Sequence, residues 1–194
     1  MPRDYSLNRQ KPTAHQRRQE YKRNDEWIRG LLRRGQIIHI ASLWDDQPFV
    51  TPSTFFHDEA GNRLIFHSNI AGRIRTNIER HPRVCAEVSE TGRALPSNIA
   101  LEFSFQYRSV MIFGTAGIIE DAEEKREALH KLIAKYFDKM EPGRDYRPAT
   151  DKELKRTSVY QINIESWSGK ENWKARADQS GEWPALDKKW FEGE

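Results

Sequence analysis

Hydrophobic positions change period twice between Arg63 and Val88. Over Arg63 to Ser68 they alternate, with Leu64 and Phe66 on one side and Ile65 and His67 on the other, which predicts a strand. A helical spacing takes over next: Ile70, Ile74 and Ile78 share one face, and Ser68 or Asn69 is placed to cap the first turn. Pro82 ends that helix, and Val84, Ala86 and Val88 predict the inward side of another strand. His67, Ser68 and Arg73 thus gather at an elbow where a helix presents its unpaired N–H groups. That chemistry suits a phosphate, while the sequence alone reads first as a plain capped helix with solvated arginines.

The rest of the chain falls around this elbow. Asn24 can cap a helix with Trp27, Ile28, Leu31 and Leu32 on one face, ended by Gly35. Gln36 to Trp44 and Pro48 to Phe56 predict a hairpin turning at Asp45 to Gln47, and with the elbow strand they predict three adjacent antiparallel strands. His39, Thr51 and Ser53 interrupt these strands at positions expected to face the core, where polar groups need a partner or a ligand. Residues 89–98 predict a polar loop. Residues 100–119 predict one long strand, or two, bent at Gly114 and Gly117. Asp121 with Glu124 starts a helix carrying Leu129, Leu132, Ile133 and Tyr136, and Thr150 with Glu153 starts a very short one. Thr157 to Trp167 predicts the last strand, followed by SGKENW and a tail holding Trp173, Trp183 and Trp190. About six strands joined mostly by short turns favour a small antiparallel barrel over a doubly wound sheet.

Composition narrows the function. The net charge of +3 conceals an arm: residues 1–23 hold seven Lys or Arg against two acidic residues, so the remaining chain sums to −2. A folded body without excess positive charge argues against a nucleic-acid reader, and the arm is expected to wrap a partner subunit or stay loose. The single Cys85 excludes an internal disulfide and reads as a small buried residue. No long apolar run and no signal-peptide pattern are present, so the cytoplasm is the expected compartment, without a membrane partner. Dinucleotide fingerprint, P-loop, CxxC, HExxH and GxSxG patterns are all missing, and no metal site is expected.

Taken together, the lid helix before GQIIHIAS, then QPFVTPSTFF, LIFHSNIAGR, HPRVCAEV, QYRSVMIFGTAGIIEDAEEKREAL and LKRTSVYQINIESWSGKENW resemble the pyridoxamine 5′-phosphate oxidase-like FMN-binding split barrels. The branch is the one holding nitroimidazole-resistance-type and flavin-nucleotide-binding proteins, and the likeness covers most of residues 20–173. It implies a mainly β protein with peripheral helices, a six-stranded antiparallel Greek-key split β-barrel spanning residues 24–173, between an arm (1–23) and a tail (174–194). It further implies a homodimer with FMN at the subunit interface. Carried over by position, Thr51 and Ser53 lie along the flavin ring, His67 and Ser68 at the strand end, and Arg73 on the phosphate. Tyr107, Arg108 and Ser109 approach the cofactor from one subunit or the other, and Lys170 and Trp173 follow the last strand. His67 or His39 would line a substrate cavity. Pyridoxamine-phosphate oxidases end in an arginine-bearing motif, whereas no arginine follows Arg176 here, so the vitamin is not the expected substrate. The resulting expectation is an FMN-dependent oxidoreductase on a small molecule, against a flavin carrier or sensor, or a haem protein using His39, His57 or His67 as axial ligand.

Overall fold

The computed structural model describes residues 18–191; residues 1–17 of the basic arm and 192–194 of the tail lie outside the described residues. Eight strands form one antiparallel sheet: β1 (Lys22–Arg23), β2 (Ile38–Trp44), β3 (Gln47–Ser53), β4 (Phe56–Asp58), β5 (Arg63–Asn69), β6 (Arg83–Leu95), β7 (Ser104–Ile119) and β8 (Thr157–Asn172). Four α-helices accompany them: α1 (Asp25–Arg34), α2 (Arg73–Arg80), α3 (Ala122–Tyr136) and α4 (Asp151–Leu154). The strand order is β3-β2-β6-β7-β8-β5-β4, with β1 paired to β8. The fold is therefore mainly β with peripheral helices, but with eight strands rather than six and an open hydrogen-bonded path rather than a closed ring.

The opening arises where one predicted strand becomes two. Pro48 to Phe56 breaks after Ser53; β3 pairs with β2, and β4 turns away to pair with β5. The expected three-strand meander is thus incorrect, because β3 and β4 stand at opposite ends of the sheet path. Phe55, fully buried at the break, would leave two backbone groups outside any ladder. The Tyr136 hydroxyl takes both: Phe55 N donates to it at 3.0 Å, and it lies 3.1 Å from Phe55 O and 2.5 Å from Gln36 O. Lys135 reinforces the junction, donating to Gly35 O at 2.6 Å with its ammonium 3.5 Å from the centre of the Phe55 ring.

Helix signals hold well. Asn24 caps α1 by accepting from Trp27 N, Asp121 caps α3 by accepting from Glu124 N, and Thr150 with Glu153 forms a reciprocal capping box on α4. Ile28, Leu31 and Leu32 of α1 and Ile74 and Ile78 of α2 join the inward residues of the sheet in the main core. On the other face Ile65, Ile119 and Val159 pack under Ala128 of α3. Two strands outrun the pattern: β6 continues through the predicted loop to Leu95, and β8 reaches Asn172 rather than stopping at Trp167. Both extensions carry a carboxylate paired across strands with Arg108 of β7, Glu90 on β6 and Glu171 on β8, which hydrophobic alternation does not register. Residues 104–119 form one strand, whose pairing with β8 shifts between Phe113 and Gly114.

His57 on β4 lies beneath α1, edge-on to Trp167 at 5.8 Å, and neither ring nitrogen has a hydrogen-bond partner among the described residues. Burial lowers its pKa from 6.5, opposed by Glu59 and Asp58 and aided by Arg29 and Arg33. Between the folded and unfolded pKa the unfolded chain binds more protons, so stability present above pH 6.5 is lost as the pH falls through the folded value. The expected result is a melting temperature that drops from neutral pH to about pH 5 and drops less in His57→Phe, which keeps the contact with Trp167. Equal acid losses in parent and variant would show that His57 does not carry the effect.

Candidate functional site

The elbow differs in detail from its sequence pattern. Strand β5 runs on to Asn69, three residues turn, and α2 begins at Arg73 with Gly72 as a cap that donates no side chain. Neither Ser68 nor Asn69 caps this helix. Asn69 accepts from Ala71 N at 2.9 Å, closing the turn, and Ser68 Oγ lies 3.0 Å from the Tyr160 hydroxyl. Ile70 is consequently exposed, outside the apolar face of α2. Asn77 anchors that face instead, donating to Ser42 Oγ of β2 at 3.0 Å in the core. His67 points the opposite way from Ser68; it opens to the surface, yet surrounding atoms crowd it enough to lower its pKa.

What α2 presents at its start is Arg73. The guanidinium lies 5.0 Å from the Trp44 ring and 5.5 Å from the Phe49 ring, where cation–π attraction holds it over the end of the β2–β3 hairpin. Among the described residues it has no carboxylate partner. Its helix neighbours are spent: Arg75 bonds Glu79 and Ser158 Oγ, and Arg80 bonds Asp45. Along the edge strand β3, Phe49, Thr51 and Ser53 share one half-buried face, opposite Ser42, Ile40 and Ile38 of β2. Ser53 Oγ donates to Thr54 O at 2.9 Å, and the Thr51 hydroxyl has no partner among the described residues. The result is a shallow polar edge with an uncommitted cation and two aromatic rings at one end. Trp44 and Phe49 went unnoticed in the sequence; the two-residue turn that pairs Trp44 with Gln47 is the signal that would have placed them beside each other.

The other predicted residues lie elsewhere in the chain. Tyr107, Ser109 and Lys170 are on β7 and β8, separated from β3 by β6 and β2. Ser109 pairs with Lys170, whose ammonium is 5.3 Å from the Tyr107 ring centre. Lys170 is therefore inside β8 rather than after it. Arg108 faces the opposite side, bonded to Glu171 at 2.6 Å, 3.5 Å from Glu90, and stacked 3.8 Å over Trp173. Two carboxylates already neutralise it. His39, expected to face the core, is exposed on the outer side of β2, 3.3 Å from Glu87, because its strand alternates with Ile38 and Ile40 inward. Cys85 shares that outer side and is only half buried, against Phe113 across the strand pair. Burial raises its thiol pKa, aided by Glu87. A single chain thus sets Arg73 at the Phe49 end of the β3 face that carries Thr51 and Ser53, and leaves Tyr107, Arg108, Ser109, Lys170 and Trp173 as a second group.

The sequence pattern of the pyridoxamine 5′-phosphate oxidase family matches residues 24–171, most of the chain. The chain belongs to this family. Its fold is shared with the flavocytochrome Anf3 of Azotobacter vinelandii, at 26% identity over 89% of this chain and 78% of that one, with a TM-score of 0.76. An FAD- and haem-binding protein of Mycobacterium smegmatis is likewise 26% identical, covering 82% of this chain and 76% of its own length at a TM-score of 0.71. A candidate 5-nitroimidazole antibiotic resistance protein of Bacteroides thetaiotaomicron shares the fold at 22% identity, 76% and 83% coverage and a TM-score of 0.63. No curated protein matches the sequence. Within the described residues of this family member, no helix is long and apolar enough to cross a membrane.

Proposed function

We propose that the protein binds a flavin nucleotide, FMN in the first instance, and acts as an oxidoreductase on a small molecule. Arg73 carries the reading: it is the arginine of α2 left without a carboxylate, set at the helix start beside the polar edge of β3. A phosphate placed there meets a fixed guanidinium and the first-turn amides together, the combination that offsets desolvation of a dianion. Thr51 and Ser53 then orient the ring along β3. The two 26%-identical relatives, whose names include a flavocytochrome and an FAD-binding protein, support the assignment. When bound, the flavin supplies the redox chemistry. The absorption spectrum of the purified protein tests the reading at once, and chromatography of the released cofactor separates FMN from FAD. Reduction by NADH or NADPH then separates an enzyme from a carrier.

Completing the site calls for a second copy. The outer face of β2, β3 and β7 exposes Leu43, Val50 and Met111, with Val50 at 65% exposure, and no helix among the described residues covers it. Tyr107, Ser109 and Lys170 lie on the same side of the sheet as Met111, so a dimer through this face would carry these three residues of the second group towards the partner's β3 edge. Light scattering is expected to give a dimer; a monomer that binds flavin at full stoichiometry overturns the shared site.

Pyridoxamine 5′-phosphate is not the substrate in this reading. With Arg73 engaged, a phosphorylated vitamer needs another anion site; Lys170 and Lys174 line a cavity of about 180 Å³ on the far side of β2 and β6 from β3, and Lys174 is paired with Asp178 at 3.3 Å. Ordinary small-molecule pockets begin at roughly 300 Å³. Steady-state assays are expected to show no turnover of the phosphorylated vitamers by a protein whose flavin is reducible; turnover at an ordinary enzyme rate would refute this.

Haem beside the flavin is a second reading, favoured by the relatives whose names carry it. Of the three candidate ligands, His57 is enclosed and His39 is engaged with Glu87, which leaves His67. A Soret band abolished in His67→Ala would support it, and protein made with ample haem precursor yet lacking that band would end it.

A further inference from the structure

The tail is built onto the end of the β6–β7 hairpin. Arg93 Nη2 donates to Ala175 O at 2.6 Å, Ser97 Oγ donates to Asp178 O at 2.6 Å, and Asn98 Nδ2 donates to Ser180 O at 2.9 Å. Between hairpin and tail lies a cavity of about 350 Å³, lined by Arg93, Leu95, Arg176, Trp190 and Phe191 among others. Its volume is at the lower end of the range for small-molecule sites. Neither guanidinium has a carboxylate partner among the described residues. Arg93 is held by a neutral carbonyl, and Arg176 lies over the Phe191 ring at 4.5 Å. Of the tail's lysines, Lys174 is paired with Asp178 and Lys189 with Asp187, while Lys188 has no ion-pair partner among the described residues. Trp190 presents its ring at 60% exposure on the cavity wall.

Two unneutralised guanidinium groups beside an open indole make a wall that attracts a planar aromatic group bearing negative charge. Cation–π contacts and fork-shaped donors serve its two ends. We propose that this cavity binds a purine nucleoside phosphate, its base against Trp190 and its phosphates between Arg93 and Arg176. The site is distinct from the one at Arg73, since Arg93 belongs to the end of β6 remote from Arg83 and α2. Adenosine diphosphate is the shared chemistry of two sources, a nicotinamide electron donor and the adenylate half of FAD.

ADP titrated into the full-length protein, followed by calorimetry and tryptophan fluorescence, reads the site whether or not flavin is bound. Saturable binding at one ADP per chain is expected, weakened about tenfold or more by Arg176→Gln and by Arg93→Gln. Arg176 holds none of the tail's backbone, so its variant is expected to melt with the parent. Arg93→Gln is read together with its melting curve. Binding by the FMN-loaded form but not the FAD-loaded form assigns the cavity to the adenylate of FAD, and binding by both assigns it to a separate nucleotide. The absence of saturation at about 10 mM ADP, or binding unchanged in Arg176→Gln, overturns the proposal.

Discussion

Arg73→Ala is expected to weaken flavin binding by about 1.5–3 kcal/mol, roughly 10- to 150-fold in Kd, and to leave the fold intact. The size follows from what the side chain does. A charge-assisted contact to phosphate is worth more than a neutral hydrogen bond, and no other arginine of α2 can substitute, because Arg75 is bound to Glu79 and Ser158 and Arg80 to Asp45. Fold integrity is expected because the Arg73 side chain is exposed and caps nothing. Arg80→Ala is the matched control: it removes a cation from the same helix and from the same Trp44 ring, yet should change Kd by no more than about threefold. Titrations under limiting FMN decide between them. Equal losses in the two variants would reduce Arg73 to a contributor to the general field, and equal affinity of Arg73→Ala and parent would remove it from the site.

The legible parts of the chain were those decided within a few residues. Asn24, Asp121 and Thr150 cap their helices through bonds reaching only three residues onward, so sequence spacing carries the whole of that information. The alternation of Val84, Ala86 and Val88 likewise shows directly as buried positions. What alternation cannot reveal is which edge a strand pairs with. Pro48 to Phe56 reads as one β-rich run, but Phe55 is taken out of the ladder by the hydroxyl of Tyr136, a residue eighty-one positions away. The elbow shows a similar limit. Ser68 was plausible as a cap until Tyr160, across the β5–β8 pair, offered its hydroxyl at 3.0 Å. His39 was placed inward by composition and is outward by register, opposite Glu87. For the site, the resemblance placed Arg73 by its position in the elbow, while the reason it stands free, namely that carboxylates surround its neighbours and aromatic rings surround it, is a property of packing between α2 and the β2–β3 hairpin.

Gly114→Ala is expected to cost about 3 kcal/mol or more, the upper end for overpacking, and to lower the melting temperature by roughly 6–12 °C for a chain of this size. The glycine sits where the β7–β8 register shifts: Phe113 pairs with Ser166 and Gly114 with Ile164, leaving Glu165 as the extra residue. There β8 closes on β7 so tightly that a methyl group at position 114 would stand far inside contact distance of the Asn163 carbonyl oxygen, with Ile162 Cγ2 only 3.1 Å away. Backbone cannot rotate aside as a flexible side chain would, so the two longest strands must part or the shift must move. A one-residue slip beyond that point would turn Ile112 and Val110 of the core outward and drive Met111 inward. It would also displace Tyr107, Ser109 and Lys170, whose mutual placement depends on the same ladder. Gly117→Ala supplies the contrast, since its nearest neighbour would be Gln161 Nε2 at 4.0 Å; it should change stability by less than about 1 kcal/mol. Thermal and urea melts of the two variants beside the parent measure both halves. A Gly114→Ala protein that melts with the parent would show that β8 relaxes around the methyl group and that the shift is not what holds the two strands in register.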